Sequence, residues 1–196
     1  MAGDIDEVHA FWFGELDAQG MSPQARQALW FRSSAETDEL CRSRFGHLVD
    51  SAVSGGLGDW EVSDRGLVAL VLLLDQLTRN IYRGTPAAYA GDPRALALSQ
   101  QCIASTRFQR LPPIHQVFIL MPLEHSETLA VQEQCVTLFN TLANSTGLAQ
   151  IAEFHRYAIA HRDVIARFGR FPHRNAILQR TSTAEEVEHL NTHGGF

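Results

Sequence analysis

Three short segments of this 196-residue chain carry side chains suited to acid–base or anion chemistry. The first is LLLDQLTRNIYRGT over 72–85. On a helix Asp75, Arg79 and Arg83 fall at i, i+4 and i+8 and share one side, with Gln76 and Asn80 beside them as a second i, i+4 pair. A local Asp–Arg pair at a solvated helix end would be worth only a few tenths of a kcal/mol. This polar stripe, however, continues the most apolar run of the chain. A charge there must face a crevice or another polar group, because an unpaired buried charge is costly.

The second segment is MPLEHSE over 121–127. Pro122 is expected to end the preceding helix, which places Glu124 and His125 at a turn. Neighbouring Glu and His supply two proton acceptors, and His titrates near neutral pH. Ser126 has no GxSxG context to mark a nucleophile, and Ser126 with Glu127 also suits helix capping.

The third is FGRFPHRN over 168–175, extended backwards to His161, Arg162 and Asp163. Gly169 should break one helix and Pro172 permit another beginning near His173. Phe168 and Phe171 then anchor the turn while Arg170, His173, Arg174 and Asn175 point together. Arginines beside a helix N-terminus, with its free N–H groups, form an anion-binding arrangement. The bland alternative is a buried arginine–carboxylate network, with Asp75 or Glu124 as partner, that ties helices together.

Other chemistries fit less well. His125, His161, His173 and Glu124 offer metal-ligand atoms, but their spacing matches no compact motif and arginines in the same segments oppose a bare cation. No metal and no cofactor is expected. A net charge of −6 argues against nucleic acid and acidic membranes as partners. All 16 basic residues are arginine, whose planar fork can grip a carboxylate or phosphate by two parallel bonds. Cys41, Cys102 and Cys135 are widely spaced, without a CxxC pair, and suit a reducing compartment. No signal peptide is visible, and the longest apolar run, 67–74, is under half a membrane span. The expected location is cytoplasmic.

The elements that must position these residues are helices. Apolar residues recur at helical spacing, as in Val136, Leu138, Phe139 and Leu142, and alternating strand-like runs are absent. Thr85-Pro86 and Asp92-Pro93 each read as a capping residue before a proline. Ser63 can cap the long apolar segment, and Thr183 with Glu186, or Ser182 with Glu185, fits a capping box. Gly84, Gly91, Gly147 and Gly169 mark helix ends. The expected helices cover roughly 3–13, 23–32, 34–54, 63–82, 92–107, 112–121, 128–145, 148–168, 172–180 and 183–193. The stretch 67–77 is apolar nearly all round and should be central and buried. With no low-complexity linker, residues 1–196 read as one all-α domain.

FWFG at 11–14, LLLDQLTRNIYRGT, PLEHSE and FGRFPHRN together resemble a mainly bacterial family, domain of unknown function 924. The resemblance implies a tetratricopeptide-like superhelix of stacked antiparallel helix pairs, and it implies no reaction. Asp75, Gln76, Arg79, Asn80 and Arg83 match the family's D-Q-x-x-R-N-x-x-R. Glu124 to Glu127 match E-H-S-E, and Arg170, His173, Arg174 and Asn175 match G-R-F-P-H-R-N. The sequence departs at Gln179, where the family pattern leads one to expect glycine.

The expected function is a binding module. Arg79, Arg83, Arg170 and Arg174 would hold an anionic small molecule or peptide carboxylate. His125, His173, Asn80 and Asn175 would orient it, with Asp75 and Glu124 pairing to the arginines. The alternative is a hydrolase or transferase on an anionic substrate, with Glu124 or His125 as general base and His173 as acid. The third reading is a purely structural polar network.

Overall fold

The computed structural model describes residues 2–32 and 34–195, and among them it is helical with no strand. Two compact units are described separately: Met1–Arg83 with Ala87–Pro122, and Leu123–Phe196 with Gly84–Pro86.

The first unit opens with α1, Ala2–Trp12, then α2, Arg26–Phe31, and α3, Ala35–Val53. Ser34 caps α3 by accepting the Thr37 N–H. The central run comprises α4, Asp64–Leu72, a π-helical turn, Leu73–Leu77, and α5, Thr78–Ile81. Ser63 caps it as expected, taking the Gly66 N–H at 2.9 Å. Val68 to Leu74 are at most 1% exposed, so this run is the middle of the unit's core. Rings from α1 and α8 enclose it further, with Trp12 and Phe13 edge-on to Phe118 at centroid separations of 5.7 and 5.4 Å.

Next come α6, Asp92–Ile103, α7, Arg107–Arg110, and α8, Pro113–Glu124. The expected helix 92–107 is thus two helices. Asp92 does not cap α6: Gly91 is the cap residue, no side chain bonds there, and the Asp92 carboxylate is used elsewhere. Gly91 is required by space, since a Cβ would stand 2.1 Å from the carbonyl oxygen of Leu74.

Pro122 does not end α8, which continues to Glu124. Proline removes one N–H and crowds the carbonyl four residues back. Only two helical residues follow it, so the lost N–H bond falls in the last turn of the helix.

In the second unit α9, Leu129–Thr146, and α10, Ala149–Phe168, form a helical hairpin joined by Gly147 and Leu148. Gly147 and Gly169 close the two helices in the left-handed conformation, at φ 65 and 70. Phe139 and Phe154 stack between the helices, centroids 6.4 Å apart. The last helix, α11, Ala184–His193, starts at a complete capping box between Thr183 and Glu186.

The expected helix over 172–180 is absent. A single 3-10 turn, Pro172–Arg174, is followed by irregular turns. The chain closes there by a pair of bonds, Arg180 N–H to Asn175 O at 2.8 Å and Gln179 N–H to Ala176 O at 3.4 Å, with Gln179 at φ 56. That is a Schellman closure, whose left-handed residue is normally glycine. The geometry explains why glycine is the residue to expect at 179.

Candidate functional site

The segments singled out by residue type divide between the units. Asp75 to Arg83 lie in the first, and E-H-S-E and G-R-F-P-H-R-N meet in the second.

In the first unit, Asp75 sits inside the π-helical turn and is 1% exposed. Arg79 bonds back to the Asp75 carbonyl at 2.6 Å and stands 3.2 Å from its carboxylate. Its two terminal nitrogens also grip Asp92 in a fork, at 2.8 and 3.0 Å. Arg83 grips Asp38 of α3 the same way, at 2.6 and 2.9 Å, and Asn80 adds a bond to Asp38 at 2.9 Å. Burial raises the Asp38 carboxyl, but the bonds from Arg83 and Asn80 together outweigh it and hold the group below the usual carboxylate value. Gln76 bonds to the Asp75 carboxylate. The partners of Arg79 and Arg83 therefore include Asp92 and Asp38. No periodicity marked either one, because Asp38 lies 45 residues away from Arg83 along the chain.

In the second unit, FGRFPHRN divides between two jobs. Arg170 places two bonds on Glu186 at 2.6 and 2.8 Å and one on the Thr181 carbonyl at 2.8 Å. Asn175 donates to Ser182 Oγ and Glu186, and accepts from Arg180 at 3.0 Å. Arg180 continues the chain of bonds to Glu127, at 2.7 and 3.0 Å, and Glu127 also takes the Phe171 N–H at 2.8 Å. Together these bonds fix the loop between α10 and α11. The Arg170 bonds hold Glu186 down at about 2, despite burial acting the other way. Glu127 is also held low: burial raises it, but the Arg180 and Phe171 bonds prevail. Arg180 escaped the sequence reading because a helix over 172–180 would have turned it elsewhere, and Glu186 entered it only as the capping-box partner of Thr183.

The other half of the motif faces His161 of α10. His161 lies 6.3 Å from His125 and 5.6 Å from Phe171, ring centre to ring centre, and His173 lies 5.5 Å from Phe171. Arg174, 6% exposed, covers the Phe171 ring at 4.6 Å and donates to the His125 carbonyl at 3.0 Å. Burial pulls His161 down to about 3, against its bond to Tyr157, and the fields of His125, His173 and Arg174 push it the same way. It is therefore neutral near pH 7. Its Nδ1 is 2.9 Å from the Tyr157 carbonyl and 3.3 Å from Glu124 Oε1. A carbonyl only accepts, so Nδ1 carries the proton and Nε2 the lone pair. His161 entered the sequence reading as a flank of the segment and emerges as its centre. Arg162 merely pairs with Asp163 at the surface. Among the described residues, no group of three or more His, Cys, Asp or Glu is placed to hold a metal ion.

Fold and site thus define an all-α protein whose polar motifs are gathered into two buried or half-buried networks, one in each unit. The chain belongs to the family described as bacterial protein of unknown function (DUF924), whose model matches residues 8–194. A solved structure from Agrobacterium tumefaciens, described as a protein of unknown function, is similar at 32% identity and a TM-score of 0.81, over 97% of this chain and 98% of that one. No curated protein matches the chain.

Proposed function

We propose that the chain is a helical binding module that takes an anionic group, a carboxylate or a phosphate, at the cluster around His161. The observation that carries this reading is the gathering of Arg174, His161 and His173 about the Phe171 ring, with His125 beside His161, which sets one fixed positive charge among imidazoles. The bonds through Arg170, Asn175, Arg180, Glu127 and Glu186 hold the backbone of that cluster in place, which favours a preformed site over one assembled on binding. Arg174 is the arginine that lies at this cluster, over Phe171 and on the His125 carbonyl. Arg79, Arg83 and Arg170 have their forks on Asp92, Asp38 and Glu186. Tetratricopeptide-like stacking of helix pairs and a cytoplasmic location belong to the same proposal, supported by the α9–α10 hairpin and by three buried cysteines that form no disulfide. A hydrolase or transferase reading would add turnover at this same cluster, with Glu124, His125 and His173 as its acid and base groups.

The test is a thermal-shift and calorimetric titration of inorganic phosphate and small carboxylates against wild type, Arg174→Ala and Arg79→Ala. An anion at ~100 times its dissociation constant should add about 2.7 kcal/mol to stability, and the shift should weaken with salt. Arg174→Ala should abolish it and Arg79→Ala should keep it. If no anion shifts the wild type while Arg174→Ala melts far earlier, the cluster is structural. If a bound phosphate or carboxylate ester is also consumed, the enzyme reading takes over.

A further inference from the structure

Beyond α11 the chain turns back onto the cluster. Gly194 ends the helix at φ 73, with its N–H on the Leu190 carbonyl at 2.9 Å. Gly195 then lies directly on the His173 side chain. A Cβ at 195 would stand 2.7 Å from His173 Cβ and 3.1 Å from Cγ, closer than side-chain carbons pack. Two consecutive glycines therefore have separate duties: one permits the left-handed turn, and the other permits the contact. The helix that carries this tail is firmly held, by its capping box, by Arg170 on Glu186, and by His189 packed on Phe168 at 5.0 Å. His193 stacks on His189 at 4.8 Å, so the anchored part reaches to the last helical residue. At Gly194 and Gly195 the contact is made through bare backbone, which supplies little apolar area to bury. A short segment that is held weakly at the end of a rigid arm can open without disturbing the rest.

We propose that the glycine tail at 194–195 is a strap that covers His173 and must lift before an anion can engage it. This rests on the reading of the His161 cluster as an anion site. A strap closed most of the time lowers the affinity observed for the ligand by the fraction of molecules that are open.

Carbethoxylation of His173, followed by mass spectrometry with exposed His47 as internal reference, tests the cover without any ligand. Three proteins are compared: wild type, Gly195→Val, and a chain lacking residues 194–196, with thermal melts showing that α11 stays folded. Both variants should modify His173 faster, by about fivefold for a strap closed four-fifths of the time, and should bind inorganic phosphate tighter by the same factor. Equal His173 rates in the three proteins would overturn the strap. Faster modification with unchanged phosphate affinity would overturn the competition. Absence of phosphate binding in all three would overturn the anion-site reading and the competition with it, while the modification rates still decide whether the tail covers His173.

Discussion

Glu127 and Arg180 face each other through two parallel bonds, at 2.7 and 3.0 Å, across 53 residues of sequence. The same carboxylate holds the Phe171 amide, and the same guanidinium reaches Asn175 and the Phe171 carbonyl. The pair is therefore the clasp that fastens the loop after α10 to the turn before α9. Both side chains are about a quarter exposed, which places their worth between a surface pair and a buried one.

Arg180→Ala should cost about 2 kcal/mol, or about 4–8 °C in Tm, and Glu127→Gln a similar amount. In the double mutant the losses should fall well short of the sum, since either change opens the same clasp. Full additivity in urea unfolding would show that the two residues act independently.

Gln179 holds a left-handed conformation that costs an L-residue about 1–2 kcal/mol, and its side chain is exposed. Gln179→Gly should raise stability by about 1 kcal/mol, after the entropy that glycine adds to the unfolded chain. A lower Tm for the glycine variant would mean that the side chain holds more than its surroundings suggest.

Gly91 gives the opposite case. A methyl group there would collide with the Leu74 carbonyl at 2.1 Å, and neither backbone can retreat cheaply. Gly91→Ala should destabilise by about 2–3 kcal/mol, as overpacking does. Circular-dichroism melts decide it, and an unchanged Tm would contradict the close approach.

Acid should loosen the first unit. His9 and His115 pack edge to face at 4.9 Å, and burial pulls them down to about 4 and about 3. The unfolded chain then binds protons that the folded one refuses, so stability rises with pH through this range and is lost as pH falls below about 6.5. By pH 5 each histidine should have removed about 2 kcal/mol, at 1.36 kcal/mol per pH unit. Urea midpoints measured from pH 7.5 to 4.5 should show the decline, and His115→Gln should remove about 2 kcal/mol of it by pH 5 while leaving the shares of His9 and His161. A pH-independent midpoint would show these rings are solvated.

Cys41, Cys102 and Cys135 are all buried, and burial pushes their thiols above the ordinary value, Cys41 to about 11. The native protein should therefore be inert to a disulfide reagent at pH 8 and titrate three thiols once unfolded. A fast-reacting native thiol would expose an opening in the fold.

Helices were legible from the sequence wherever apolar spacing and capping agreed, as at Ser63 and Thr183. Reading failed where a tertiary partner outweighed a local rule. Pro122 sits within a helix it was expected to end, and Asp92 forgoes a cap to hold Arg79. At 172–180 proline and helical spacing suggested a helix, but Arg170, Asn175 and Arg180 are bonded into a turn instead. The chemical residue types are legible in the sequence; their partners are not, because Asp38, Asp92 and Glu186 become neighbours of those arginines only after folding.

The π-helical turn at Leu73–Leu77 has one more consequence. Such a turn takes one residue more than an α-helix for the same closure, so it rotates everything downstream by about 100°. Asn80 and Arg83 reach Asp38 on a different helix because of that offset, while Arg79 reaches Asp92. The polar side chains of this segment are thus aimed by residue count as much as by chemistry. Losing a single leucine from the turn would leave every functional group present and send each to the wrong address.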